Sequence, residues 1–395
     1  MTRAPRTERI AIELAGVVTP IGQDLEAFWS ALVTGASGIS QIERFPVSDL
    51  RVGRGGEIKK LARIKSWGRV PECRATRLLV SAADEILAHG GLDAVAPDRL
   101  AVVVGTALGG VEEGEKALAG DRRRRRRRDA LYDAPGHNLA RWLGCRGPVI
   151  TVSTACASGA TAMAVGADLL RTGEADAVVA GGYDVLCRFV MRGFNALRAL
   201  AHDDVRPFDR RRSGILLGEA AALVVLRRDG EGTGARLGTL LGYGSASDAS
   251  HISAPDPAGL GLERAVRAAL LEAGVGADRI DFVSAHGTGT PLNDPIEAAV
   301  IRRVLGGRAD SVPVNSIKPG LGHTMGAAAV LEALMCLLAS SRGVIPPTLH
   351  LDEPDAGCEL DHVRGSARPA RPRLCLSTSL GFGGSNAALV LEGAS

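Results

Sequence analysis

Short apolar runs alternate with longer amphipathic stretches along almost the whole chain. The runs at Leu100–Val104, Val149–Ser153, Ala177–Ala180, Ala221–Leu226, Phe282–Ser284, Val312–Asn315 and Leu374–Ser377 read as buried strands. Between them, apolar positions at helical spacing predict helices over Arg77–Ala88, Leu262–Ala273, Ile296–Leu305 and Met325–Ala339. A further helix is expected from Ala157 to Arg171, small-residued at its start and closed by Gly173. The helix after Asn293 carries start signals: Asp294 as a cap, Pro295 in the first turn and Glu297 at capping-box spacing. Strands alternating with helices predict an α/β fold with largely parallel, buried strands.

Length changes the picture from one core to two. At 395 residues the chain predicts two domains or a fused pair of similar halves. The charged, glycine-rich link Arg228–Gly234 is the best boundary, giving halves 1–230 and 231–395 with no sequence repeat between them. Aromatics are only 3% while glycines number 50, which favours close backbone approach over bulky cores. A net charge of +3 lacks the basic surplus of a nucleic-acid binder. The seven cysteines form no CxxC pair and predict neither a zinc cluster nor a disulfide framework, which suits a reducing cytoplasm. The N-terminal apolar stretch is too short and interrupted for a signal peptide. Met325–Leu338 contains Glu332 and falls below spanning length, so no membrane insertion is expected. The seven arginines Arg122–Arg128, between Asp121 and Asp129, predict a mobile, solvated loop.

The candidate chemistry begins at Cys156, in Thr-Ala-Cys-Ala-Ser-Gly (154–159), directly after a strand and before a helix. A helix N-terminus favours the thiolate, and the small neighbours Ala155, Ala157 and Gly159 leave backbone N–H groups free to receive an oxyanion. A second donor is expected from the glycine-rich turn Gly381–Gly384. Two glycine-flanked histidines follow strands, His286 in His-Gly-Thr-Gly-Thr-Pro and His323 in Gly-His-Thr-Met-Gly-Ala. Loops after strands are where α/β folds gather their sites. No third ligand stands at recognisable metal spacing, so no metal is expected. Glu332 lies inside an otherwise apolar helix and needs a partner; Lys318, five residues before His323, is the candidate.

These motifs together resemble a β-ketoacyl-acyl carrier protein synthase of the elongating, two-histidine type. The resemblance rests on Thr154–Gly159, His286–Pro291, Asn315–Ala328 and Gly381–Asn386, in that order, over nearly the whole chain. It implies a thiolase-like fold, two halves related by a pseudo-twofold axis in a five-layer αβαβα core, generally as a homodimer. It implies that Cys156 accepts an acyl group as a thioester. His286 and His323 would then assist decarboxylation of malonyl-carrier protein, with Lys318 in the catalytic set and Glu332 supporting it. Cys156 and Phe382 would supply the oxyanion N–H groups. Thr288 and Thr290 would touch the phosphopantetheine arm, Phe382 would gate the nucleophile, and Leu108 and Phe194 would line the acyl pocket. No separate cofactor is implied, since the substrates ride on acyl carrier protein.

Departures from the family pattern matter as well. Gly181-Gly182-Tyr183-Asp184-Val185 and Ser213-Gly214-Ile215-Leu216-Leu217-Gly218-Glu219-Ala220 both differ from the usual stretches. The segment between Gly110 and Gly147 is shortened, which points to a specialised fatty-acid, aryl-polyene or polyketide pathway. Arg122–Arg128, with Arg74 and Arg77, is the expected docking site for an acidic carrier protein. A thiolase is disfavoured because the Gly381–Gly384 turn has no second cysteine. A partner subunit of a heterodimeric ketosynthase, of the chain-length-factor kind and with little activity alone, is the alternative.

Overall fold

The computed structural model describes residues 8–62, 64, 72–121, 123–232 and 236–394. Up to residue 230 the strands are β1 (Ile10–Val18), β2 (Ile39–Gln41), β3 (Arg54–Gly56), β4 (Leu100–Gly105), β5 (Val149–Val152), β6 (Ala177–Asp184) and β7 (Ala220–Arg228). Beyond it come β8 (Gly238–Ser247), β9 (Phe282–Ser284), β10 (Pro313–Asn315), β11 (Val344–Ile345), β12 (Asp361–His362), β13 (Arg368–Pro369), β14 (Leu374–Gly381) and β15 (Ser385–Gly393). The first helices are α1 (Leu25–Thr34), α2 (Arg74–Ala88), α3 (Val111–Leu118), α4 (Arg124–Asp129), α5 (Ala134–Trp142), α6 (Ser158–Arg171) and α7 (Arg188–Ala196). The others are α8 (Leu260–Ala273), α9 (Asn293–Leu305), α10 (Lys318–Leu321) and α11 (Ala328–Arg342).

One sheet runs β12-β10-β9-β14-β15-β8-β1-β7-β6-β4-β5. Its flanks, β12-β10-β9-β14 and β6-β4-β5, are parallel, whereas the middle from β14 to β6 is antiparallel. The expectation of largely parallel strands is therefore corrected to a mixed sheet. Hairpin partners β14 and β15, joined by a three-residue turn, account for part of the difference. The central seam between β1 and β8 holds only three residue pairs, Ile10–Leu240, Ala11–Thr239 and Ile12–Gly238.

Both faces of this sheet are covered, and the period-2 alternation shows it. Along β7, Ala222, Val224 and Leu226 face the central core while Leu223 and Val225 face an outer one. Along β15, Leu389 and Leu391 face the central core and Val390 the opposite outer one. Helices α6 and α11 fill the central layer, α2 and α5 cover one outer face, and α8 and α9 cover the other. The result is the thiolase-like layering of helices and sheets. Residues Ala328–Ser340 of α11 are buried on every side. The stretch Met325–Arg342 has the length and apolarity of a membrane span, longer than the sequence suggested, yet 89% of it is buried inside the protein.

Candidate active site

Cys156 stands in the turn between β5 and α6. Ala155 adopts φ 51°, a left-handed conformation that costs about 1–2 kcal/mol for a residue with a Cβ. Ser158 holds the turn closed: its Oγ accepts from Thr154 N at 2.9 Å and donates to Ala155 O at 2.6 Å. Gly159 has to be glycine here, since a Cβ would stand 2.6 Å from Gly326 O. The sulfur is thereby presented, largely buried, beside the segment that carries His323.

His323 Nε2 lies 2.9 Å from Cys156 Sγ. Its other nitrogen, Nδ1, accepts from Met325 N–H at 3.4 Å, so the neutral ring carries its proton on Nε2, aimed at the sulfur. The His286 ring packs edge-on to it, 5.2 Å between centroids and 83° between planes. Burial pushes both imidazoles well below their usual 6.5, and the Lys318 ammonium adds to the effect. Both rings are thus neutral donors at physiological pH. Burial likewise pushes the Cys156 thiol up to about 12, opposed by Lys318 and by the Phe382 N–H.

Lys318 and Glu332 meet as the sequence suggested. The ammonium contacts Glu332 Oε1 and the carbonyl of His286, fixing the His286 loop against α11. Burial holds the Glu332 carboxyl up at about 7, with Lys318 opposing the shift. Glu332 Oε2 has no hydrogen-bond partner among the described residues.

The Gly381–Gly384 hairpin closes over the nucleophile. A Cβ on Gly381 would lie 3.2 Å from Cys156 N, so the two backbones touch. Phe382 is 39% exposed and stacks on Phe194 at 5.5 Å. Cys156, both histidines, Thr288, Thr290, Phe194 and Phe382 line one cavity of about 340 Å³. Leu108 does not line it. Its N–H donates to Asp184 Oδ1 at 2.9 Å and its side chain packs on the Leu186, Val190 and Met191 cluster.

Other expectations are corrected. Asp294 and Glu297 do not cap α9, which starts at Asn293 after Leu292 without a side-chain cap. Asp294 in the first turn and Glu297 just after it turn instead to backbone and side-chain donors outside the helix. Glu297 accepts from His286 N at 2.7 Å, Gly287 N at 2.8 Å and Thr378 Oγ1 at 2.7 Å. Asp294 accepts from Gly289 N at 3.1 Å and Phe208 N at 2.7 Å. Asp184, also missed, gathers Thr106 Oγ1, Ala107 N, Leu108 N and Gly326 N, linking the Leu108 turn to the segment after His323. The sequence signalled Asp294 and Glu297 as a cap and gave Asp184 no signal beyond an acid shortly after two glycines.

The arginine run is helical rather than a loop over Arg124–Asp129, and Arg122 lies outside the described residues. Arg123 pairs with Asp121 and Glu72, and Arg126 with Asp121 and buried Glu113. Arg74 is bound to fully buried Glu219 and is not free to dock a partner.

Comparison with known proteins places this geometry. Residues 7–231 match the sequence model for the β-ketoacyl synthase N-terminal domain, and residues 237–352 that for its C-terminal domain. The 3-oxoacyl-[acyl-carrier-protein] synthase 2 of Synechocystis sp. is 32% identical, with 98% of each chain covered. The solved ishigamide ketosynthase/chain length factor superposes with a TM-score of 0.92 at 35% identity, over 98% of this chain and 100% of that one. A type II polyketide synthase acyl-carrier protein in complex with its ketosynthase, bound to the hexaketide, superposes with a TM-score of 0.91 at 25% identity, again over 98% and 100%.

Proposed function

The chain belongs to the β-ketoacyl synthase family, and from that premise we propose that Cys156, His286 and His323 carry out a decarboxylative condensation. The enzyme is an acyltransferase, a 3-oxoacyl-[acyl-carrier-protein] synthase. One observation carries the assignment of roles: a turn-borne thiol 2.9 Å from an imidazole N–H, with a second neutral imidazole packed against the first.

In the first step the Cys156 sulfur attacks the acyl thioester. The bond to the carrier's phosphopantetheine sulfur breaks, and the Cys156 proton leaves with that thiol. The N–H groups of Cys156 and Phe382 receive the tetrahedral oxyanion. The opposing pulls on the thiol make the sulfur nucleophilic only as its proton is transferred. In the second step the malonyl C–C bond breaks, carbon dioxide leaves, and its electron pair becomes an enolate between the two imidazoles. Neutral rings suit this better than imidazolium. A cation would pair with the malonyl carboxylate and stabilise the ground state as much as the enolate. The enolate carbon then attacks the acyl-Cys156 carbonyl, and the expelled thiolate takes up one proton from solvent, the proton the overall condensation consumes. Lys318 and Glu332 position the His286 backbone; Thr288 and Thr290 bind the phosphopantetheine arm; Phe194 and Phe382 shape the acyl pocket.

Acyl carrier protein is the partner that delivers both substrates, which makes a separate cofactor unnecessary. We place the enzyme in the cytoplasm, as two thiolase-like halves meeting near residue 230, in a specialised fatty-acid, aryl-polyene or polyketide pathway. The half-buried edge strand β5 supports dimerisation. A heterodimer with a chain-length-factor-like subunit, and little activity alone, is the second reading, favoured by the likeness to the ishigamide pair.

Intact mass after incubation with a panel of acyl-carrier proteins tests the assignment. We expect an adduct on wild type, none on Cys156→Ala, and loss of the adduct on adding malonyl-carrier protein, with release of the extended product. An adduct that persists in Cys156→Ala overturns the nucleophile; no adduct on wild type at any chain length favours the heterodimer.

A further inference from the structure

We propose that Cys156, His286 and His323 also form a binding site for a thiophilic divalent cation, zinc above all, open in the free enzyme and closed by acylation. The sequence offered no third ligand because Cys156 is 130 residues from the nearer histidine. The fold supplies it. Ligand atoms of all three side chains lie within 4.8 Å of one another, and all three are buried.

One thiol and two imidazoles are a donor set that zinc prefers. Tetrahedral zinc, with Zn–S about 2.3 Å and Zn–N about 2.0 Å, needs donors roughly 3.3–3.6 Å apart. The triad brackets that value, with Sγ–Nε2 at 2.9 Å and an upper bound of 4.8 Å. Among the described residues His286 Nδ1 has no hydrogen-bond partner, so its ring can turn without breaking a bond at that atom. All three side chains line the 340 Å³ cavity, so a metal held by them would have three protein ligands and room for a fourth from the cavity.

Of the nearby cations, Lys318 is offset by its contact with Glu332, while Arg198 lines the same cavity. Binding replaces the S–H bond with a metal–sulfur bond and releases one proton to solvent, so affinity rises with pH; His323 must also move its proton from Nε2 to Nδ1, giving up the long 3.4 Å contact from Met325 N–H. A thioester at Cys156 removes both the sulfur's charge and the space. Acyl-enzyme is therefore protected and free enzyme is not.

This site uses the atoms assigned to catalysis above, but its test needs no turnover, so the two readings fail separately. The EDTA-treated protein is titrated with Co²⁺, read by the thiolate-to-cobalt band in the near ultraviolet, and with Zn²⁺, read by metal content after desalting. Alkylation of Cys156 by iodoacetamide is followed by peptide mass. We expect one metal per chain and alkylation slowed at least tenfold by Zn²⁺ and restored by EDTA. We expect the cobalt band to vanish in Cys156→Ala and affinity to fall at least tenfold in His286→Ala, with melting curves as the folding control. Alkylation unchanged by Zn²⁺, or Cys156→Ala retaining the same metal content, overturns the proposal. Where His286→Ala fails to fold, the Zn²⁺ protection of wild-type Cys156 decides alone.

Discussion

Removing the Lys318 ammonium exposes the electrostatics on which both histidine segments rest. Glu332 is 1% exposed, with Oε1 on Lys318 and Oε2 already unpaired. In Lys318→Ala neither oxygen has a partner. Breaking a buried pair from one side costs about 3–5 kcal/mol if the remaining group stays charged. Glu332 can instead take up a proton. With Lys318 present, burial holds its carboxyl at about 7, above the ordinary 4.5, so the folded state binds that proton more tightly than the unfolded chain. The resulting stability is full below pH 4.5 and is lost as pH rises through the folded value. Without Lys318 the folded value climbs further, and the variant goes on losing stability above pH 7 where wild type has finished doing so. The gap between the two should widen by about 1.4 kcal/mol per pH unit from pH 7 upward, towards the 3–5 kcal/mol limit. Urea unfolding at pH 7, 8 and 9 measures it directly. Lys318→Met with Glu332→Leu removes both charges and should return to within about 1 kcal/mol of wild type, with no pH trend. Turnover should not return, because the His286 carbonyl still lacks its ammonium. A gap that stays constant from pH 7 to 9 refutes the reasoning.

Glu297→Gln leaves one amide oxygen to serve three donors, and kcat should fall at least tenfold with KM for the acyl carrier little changed; a kcat within twofold of wild type contradicts the positioning role. Gly182→Ala places a Cβ 1.9 Å from Gly326 O and should lower the melting temperature sharply, by overpacking of about 1–3 kcal/mol or more. Gly193→Ala, in α7 with open space at its Cβ position, should instead gain about 0.5–1 kcal/mol by the same measurement. In labelled protein, His286 and His323 ring resonances should stay those of neutral imidazole from pH 8 down to 6; an imidazolium signal at pH 6.5 would show the burial argument to be wrong.

Local chemistry was legible in the sequence and long-range partnership was not. A thiol between a strand and a helix, ringed by small residues, announces a nucleophile turn, and Ala155 and Gly159 occupy the positions where bulk would clash. The Lys318–Glu332 contact was legible because a lone acid in an apolar helix needs a partner. Asp294 and Glu297 carried the right spacing for a cap, but which amides they reach depends on where α9 meets the His286 loop. Strand β8 was missed because its glycines interrupt the apolar pattern. They are there for α8: a Cβ on Gly242 or Gly244 would stand 2.3 Å or 1.9 Å from a carbonyl of that helix. The arginine run suggested a loop by charge density alone, which is offset by the flanking Asp121 and, from beyond the run, by Glu72 and Glu113.

Helix α11, apolar all round, also sets the order in which the chain can acquire its shape on the ribosome. Its bed is made by α6, β6 and β7 on one side and by β9, β14 and β15 on the other. The α6 face bearing Met163, Ala167 and Leu170 is synthesised long before α11 exists to cover it. At about 5–20 residues per second, that face waits for roughly ten to thirty seconds. Translation of residues 171–328 is thus the interval in which that apolar face stands without the helix that covers it.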